Sequence, residues 1–220
     1  MALLHRATLS PTKAEIISGW LPTQPWSPQT RSPGGDGSVD MTSLELIGAY
    51  RFDDPEGRIG LEVHLVRSNE VLLQVPFVYR DEPADGLDAH LVGTMQHSVL
   101  GQRWVYDGLA DPVFIGMLAA ATLTGTGQAI GMVENAGRWT LVPTPVHLSG
   151  GGWFHGPVPV DGFSIVSDDD TWAVLRNDRL ELRIAHRPVA GEQPPIGLTA
   201  RWPGQLEPVI LAEIQDRAET

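Results

Sequence analysis

Leu44, Leu46, Tyr50 and Phe52, a turn at Asp53-Asp54-Pro55-Glu56-Gly57, then Ile59, Leu61, Val63 and Leu65, a second turn at Arg67-Ser68-Asn69-Glu70, then Val71, Leu73, Val75, Phe77 and Tyr79: this stretch decides the fold. Side chains of a strand alternate between its two faces, so each apolar set reads as one face of a strand, and the turn residues join the strands in antiparallel order. A three-stranded meander is the economical reading. Pro76 has no N–H to give to a ladder, which places an edge or a bulge at that point of the third strand.

Outward from the meander, Ser10 is expected to cap a short helix with Pro11 at its first position, carrying Ile16, Ile17 and Trp20 on one face. Residues 21–40 turn to Pro, Gly, Ser, Thr and Gln, an irregular loop with Trp26 as its one large anchor. Downstream of the acidic loop 81–88, residues 89–100 extend the sheet and Arg103-Trp104-Val105-Tyr106 adds a further piece. Asp111-Pro112 then opens a second helix with Phe114, Ile115, Met117, Leu118 and Leu123, ended by Gly125 and Gly127.

The remainder reads as β structure. Strands are expected at 138–142, 146–148 and 163–166, in a hairpin from Trp172 to Arg187 around Asn177-Asp178, and in two final strands, 196–202 and 206–211, joined at Pro203-Gly204. Leu180, Leu182 and Ile184 alternate with Glu181 and Arg183, so one face of the return strand is wet. The fold class is α+β, an antiparallel meander with two main helices and a C-terminal half that is mostly β. Residues 1–125 and 126–220 are expected to pack into one domain. No fixed-period repeat is visible, although the halves suit two similar sheets packed together.

Composition narrows the function. A chain of 220 residues builds a sizeable core unaided, and the absence of Cys removes disulfides, thiolate nucleophiles, zinc fingers and iron–sulfur ligation together. Fifteen basic against twenty-seven acidic residues give a net charge of −12, which tells against nucleic acid as a partner. No apolar run is long enough for a membrane span and the first residues do not form a signal peptide, so a cytoplasmic, non-membrane protein is expected. Lys13 is the sole lysine; lying beside a turn near the chain start, it tells against a lysine set deep in a site.

Motifs for catalysis are thin. Gly125-Thr126-Gly127-Gln128-Ala129-Ile130-Gly131 leaves a helix where a dinucleotide loop must leave a strand, and neither a phosphate-binding Gly-Lys loop nor a kinase catalytic loop is present. No His pair has the spacing that puts two imidazoles on one face. His97-Ser98 with Asp107 has the residue types of a triad but no nucleophile elbow. No cofactor or metal is expected. His147 or His186 with Asp168 is the arrangement an unrecognised enzyme would need, converging only through the fold. Gly150-Gly151-Gly152-Trp153-Phe154-His155-Gly156 offers a glycine loop with two aromatics, suited either to a sugar or partner surface or to plugging the core.

His97-Ser98-Val99-Leu100-Gly101-Gln102-Arg103-Trp104-Val105-Tyr106-Asp107-Gly108-Leu109-Ala110-Asp111-Pro112-Val113, preceded by the meander and by Trp20-Leu21-Pro22 and Trp26, resembles the N-terminal cap domain of actinobacterial maltokinases, and more closely the cap-like proteins that lack the kinase lobes. The likeness spans residues 1–125. It implies a curved antiparallel sheet, a link to maltose, trehalose and α-glucan metabolism, and a non-catalytic accessory or regulatory role, with carbohydrate binding as the alternative. Kinase caps tend to read Leu-Pro-x-x-Arg-Trp-Phe-x-Gly-Lys, whereas Leu21-Pro22-Thr23-Gln24-Pro25-Trp26-Ser27 lacks the Arg and the Gly-Lys. The candidate ligand or partner surface comprises Trp26, Trp104, Tyr106, Trp153 and Phe154.

Overall fold

The computed structural model describes residues 2–28, 44–68, 70–135, 137–152 and 160–217. In chain order its first elements are β1 (Ala2–Leu4), β2 (Leu9–Ser10), α1 (Lys13–Trp20), β3 (Leu44–Phe52), β4 (Gly60–Ser68), β5 (Val71–Arg80), β6 (Leu91–His97), β7 (Gly101–Asp107) and α2 (Pro112–Thr124). They are followed by β8 (Gly131–Asn135), β9 (Arg138–Val142), β10 (His147–Gly150), β11 (Ser164–Asp168), β12 (Trp172–Arg176), β13 (Leu180–Ala190), β14 (Gly197–Trp202) and β15 (Gln205–Asp216). The α+β class holds, with strand dominating and the C-terminal half mostly β.

Two six-stranded sheets share one strand order. The first runs β2-β6-β7-β5-β4-β3 and the second β10-β14-β15-β13-β12-β11, so β2 corresponds to β10, β3 to β11, and so on to β7 and β15. Every pairing within both is antiparallel. The two similar sheets expected from the sequence are therefore two copies of one topology. Their corresponding central strands β5 and β13 pack against each other. Gln74 on β5 bridges them, its amide donating to the carbonyls of Ala185 (3.0 Å) and Leu211 (3.2 Å) while its carbonyl accepts from the Tyr50 hydroxyl (3.0 Å). A buried amide satisfied in this way fixes the relative position of the sheets, because sliding them would strand its polar atoms.

Between the sheets lies the larger core. Leu61, Val63 and Leu65 of β4 meet Leu182, Ile184, Leu198 and Leu211 of the second sheet, with Phe114, Leu118 and Leu123 of α2 packed among them. A thirteen-residue helix is marginal alone, so α2 owes its stability to this burial, about 1.5–3 kcal/mol for each large apolar side chain. Its ends are set locally: Asp111 caps it, Pro112 takes the first position, and Gly125 closes it at φ +68°. A smaller core covers the outer face of the first sheet, where Ile16, Ile17, Leu21 and Trp26 sit on Val66, Leu73, Val75 and Phe77.

Two local expectations change. Leu44 and Leu46 do not share a face with Tyr50 and Phe52: a bulge between Leu46 and Gly48 flips the strand, so Leu44 joins the outer core and Tyr50 and Phe52 the inner one. The first helix is capped by Thr12 rather than Ser10, because Thr12 and Glu15 form a capping box in which the Glu15 carboxylate accepts from the Thr12 N–H at 2.7 Å. Ser10 instead belongs to β2, paired with Gln96. Pro76 does mark an edge, since β5 meets β7 only from Phe77 onward. A further small sheet, β1-β8-β9, contains the strand expected at 138–142 as β9; the parallel pairing of β1 with β8 has no cue in the sequence.

Candidate functional site

The stretch from Trp104 to Pro112 is consumed by the fold. Tyr106 is buried in the inner core and its hydroxyl accepts from the Ala84 N–H at 2.9 Å; Trp104 is half-buried against the same core. Asp107 accepts from the Leu109 N–H at 3.0 Å. Asp111, with a fully buried side chain, accepts from Val113 N–H at 2.9 Å with one oxygen, and from Arg80 Nε and Nη2 at 3.1 and 2.7 Å with the other. One carboxylate thus caps α2 and anchors it to β5.

Residues 20–111 match the maltokinase N-terminal cap domain family. The match ends at the carboxylate that caps α2 and contains β3 to β7, five of the six strands of the first sheet. No curated protein matches the chain.

Trp26, within the cap-matching segment, is buried, so it backs a surface rather than forming one. Its ring lies on the imidazole of His186, with centroids 4.5 Å apart and planes 12° apart. Arg187 donates to the Trp26 carbonyl at 3.1 and 2.7 Å. His186 Nε2 stands 2.6 Å from Asp168 Oδ1, so the fold does bring these two residues together. His147 stays apart, exposed on β10 at the far edge of the same sheet. With His186 only 1 % exposed and its face covered by Trp26, the pair is built as a joint between the cap segment and the second sheet. Asp107 lies within the field of this joint: burial first, and Asp168 after it, push its carboxyl up to about 6 against the Leu109 hydrogen bond and the charges of His186 and His90.

The triad reading of His97, Ser98 and Asp107 fails on geometry. His97 pairs with Gly101, at the opposite end of β7 from Asp107, and its Nδ1 accepts from the N–H groups of Val99 and Leu100 at 3.2 and 3.0 Å. Ser98 accepts from the Thr8 N–H at 2.9 Å. Trp153, Phe154 and His155 lie outside the described residues. Among the described residues no group of three His, Asp or Glu side chains is arranged to hold a metal ion, and no helix is long and apolar enough to cross a membrane.

Two features escaped the sequence reading. Lys13 is not a peripheral cation: it and Arg51 both ion-pair with the buried Glu62. Burial alone would raise the Glu62 carboxyl, but His64, Lys13 and Arg51 overcome it and hold it down at about 2. His64 is 1 % exposed, and burial, aided by the two cations and opposed by Glu62, lowers it to about 4. These residues line a cavity of about 330 Å³ beside the edge strand β3. Its other wall is the segment 143–145, tied to β3 where the Thr144 hydroxyl donates to the Ala49 carbonyl at 3.0 Å. Gly48 permits that approach, since a Cβ there would stand 2.8 Å from Val146 Cγ2. The other feature is β9, every residue of which is exposed; Trp139 and Leu141 share one face at 51 and 63 % exposure, with Ile130 at 61 % just before β8.

Proposed function

We propose that this chain is a non-catalytic, cap-like accessory protein that docks on a partner enzyme of maltose, trehalose or α-glucan metabolism. The observation that carries the reading is β9. Trp139 and Leu141 stand in solvent on the same face of a strand at the edge of the small sheet, and large apolar side chains grouped in this way mark interaction surfaces. Among the described residues no strand pairs with the outer side of β9, whose backbone donors and acceptors a partner strand can take up. The match over residues 20–111 supports the choice of partner, because the matched domain is a portion of a kinase that phosphorylates maltose.

The two sheet faces of the cap-matching segment are already occupied. Its outer face is covered by α1 and Trp26, and its inner face by the second sheet. The test is affinity purification from the native host with wild type and with the double variant Trp139→Glu/Leu141→Glu. Recovery of a maltose- or glucan-acting enzyme with wild type and its loss with the variant is the expected result. Equal recovery with both, or recovery of no such enzyme, overturns the reading.

A further inference from the structure

The β3 cavity borders the docking strand, since Gly131 of β8 and Val142 of β9 join its wall, but it has a chemistry of its own. Lys13 and Arg51 bring two positive charges to its wall and Glu62 one negative charge, so one positive charge is left over in a chain whose net charge is −12. Both cations are partly exposed, at 27 and 31 % of their side chains, while the carboxylate between them is buried. A guanidinium and an ammonium brought together in this way suit an oxyanion, the first as a planar fork and the second as a point charge.

The hydrogen bonds behind them specify a second group. Glu62, paired with two cations, is ionised and only accepts, and its Oε2 stands 3.6 Å from His64 Nε2, which favours a hydrogen on that nitrogen over a lone pair facing the carboxylate. The Tyr79 oxygen then accepts from His64 Nε2 at 3.0 Å, which places the imidazole hydrogen on Nε2. Nδ1 of a neutral ring is left as a bare lone pair. It is buried and has no hydrogen-bond partner, one of two such buried side-chain atoms among the described residues. Buried acceptors are rarely left unmet, because the loss of water costs about 1–3 kcal/mol.

We infer that the cavity binds a small oxyanion carrying a neighbouring hydroxyl, with the anion held by Lys13 and Arg51 and the hydroxyl donating to His64 Nδ1. A phosphomonoester and a carboxylate share this chemistry, and paired probes separate them. Binding to the full chain is measured by titration calorimetry and thermal shift with glycerol 2-phosphate against methyl phosphate, and with lactate against propionate. In the pair that matches the site, the hydroxylated member binds about tenfold more tightly than its hydroxyl-free partner, the value of one hydrogen bond of about 1.4 kcal/mol.

Arg51→Met weakens that binding by about tenfold or more, and it also controls for general stabilisation by salts, which the variant retains. His64→Leu abolishes the preference for the hydroxyl. Should either variant fail to fold, the ring nitrogens of His64 in wild type report instead: its Nδ1 resonance moves upfield on saturation with the hydroxylated probe. Absence of binding by all four probes, equal binding within both pairs, or binding unchanged in Arg51→Met overturns the inference.

Discussion

Trp26 lies flat on His186, 4.5 Å between ring centroids, and this stack is where the cap-matching segment meets the second sheet from outside the main core. Truncation would remove a large buried ring and uncover a buried imidazole. Trp26→Ala is expected to cost about 3–5 kcal/mol in urea unfolding. A double-mutant cycle with His186→Ala should return a coupling of about 0.5–1.5 kcal/mol, the range for stacked rings, whereas additive losses would show that the two rings act independently.

Arg80 and Asp111 should behave as a pair whose halves cannot be separated cheaply. Arg80→Met leaves the Asp111 carboxylate buried without its cation, at a cost of about 3–5 kcal/mol. The double variant Arg80→Met/Asp111→Asn should recover much of that loss, because the asparagine oxygen still caps α2. Denaturant midpoints of the three proteins settle the ordering.

Gly125 should resist substitution. Its φ of +68° disfavours any side chain, and a Cβ there would lie 2.9 Å from the carbonyl oxygen of Gly152. Gly125→Ala is expected to lose about 1–3 kcal/mol, read as a lowered melting temperature.

Two titratable groups give opposite pH slopes. The folded Asp107 titrates at about 6 against an ordinary 3.8, so the stability it lends is complete below 3.8 and is lost as pH rises through 6. His64 titrates at about 4 against 6.5, so its contribution is present above 6.5 and is lost as pH falls through 4. Each amounts to about 3 kcal/mol, and in wild type they largely cancel. Asp107→Asn should therefore make stability climb with pH across this window, and His64→Gln should make it decline. Parallel slopes in chemical unfolding of the two variants would contradict both assignments.

Legibility followed the range of the interactions. The meander, the hairpin β12–β13 and the capped helix α2 rest on neighbours in the chain, and the alternation of Leu61, Val63 and Leu65 or the Asp111-Pro112 pair suffices to read them. The bulge at Leu46 to Gly48 is invisible to a strict two-residue period, so the first strand was assigned one face where it has two. Lys13 meets Glu62 across 49 positions, and no local pattern marks that pair. The one available signal for the cavity was negative: Glu62 and His64 fall on the polar phase of an otherwise apolar strand, which reads as a wet face until α1 is seen to cover it. The joint of Trp26, His186 and Asp168 has the same character, since three distant segments supply it. The parallel pair β1 and β8 joins segments on either side of the cap-matching residues 20–111, again without a local cue.

The claim that β9 is the docking surface is tested most directly by hydrogen exchange on the intact protein, alone and mixed with the enzyme recovered from the host. Docking predicts that backbone amides across residues 130–142 slow markedly in the mixture, and that Trp139→Glu/Leu141→Glu abolishes the slowing. Protection confined to other segments, or exchange at 130–142 unchanged by the enzyme, would contradict it.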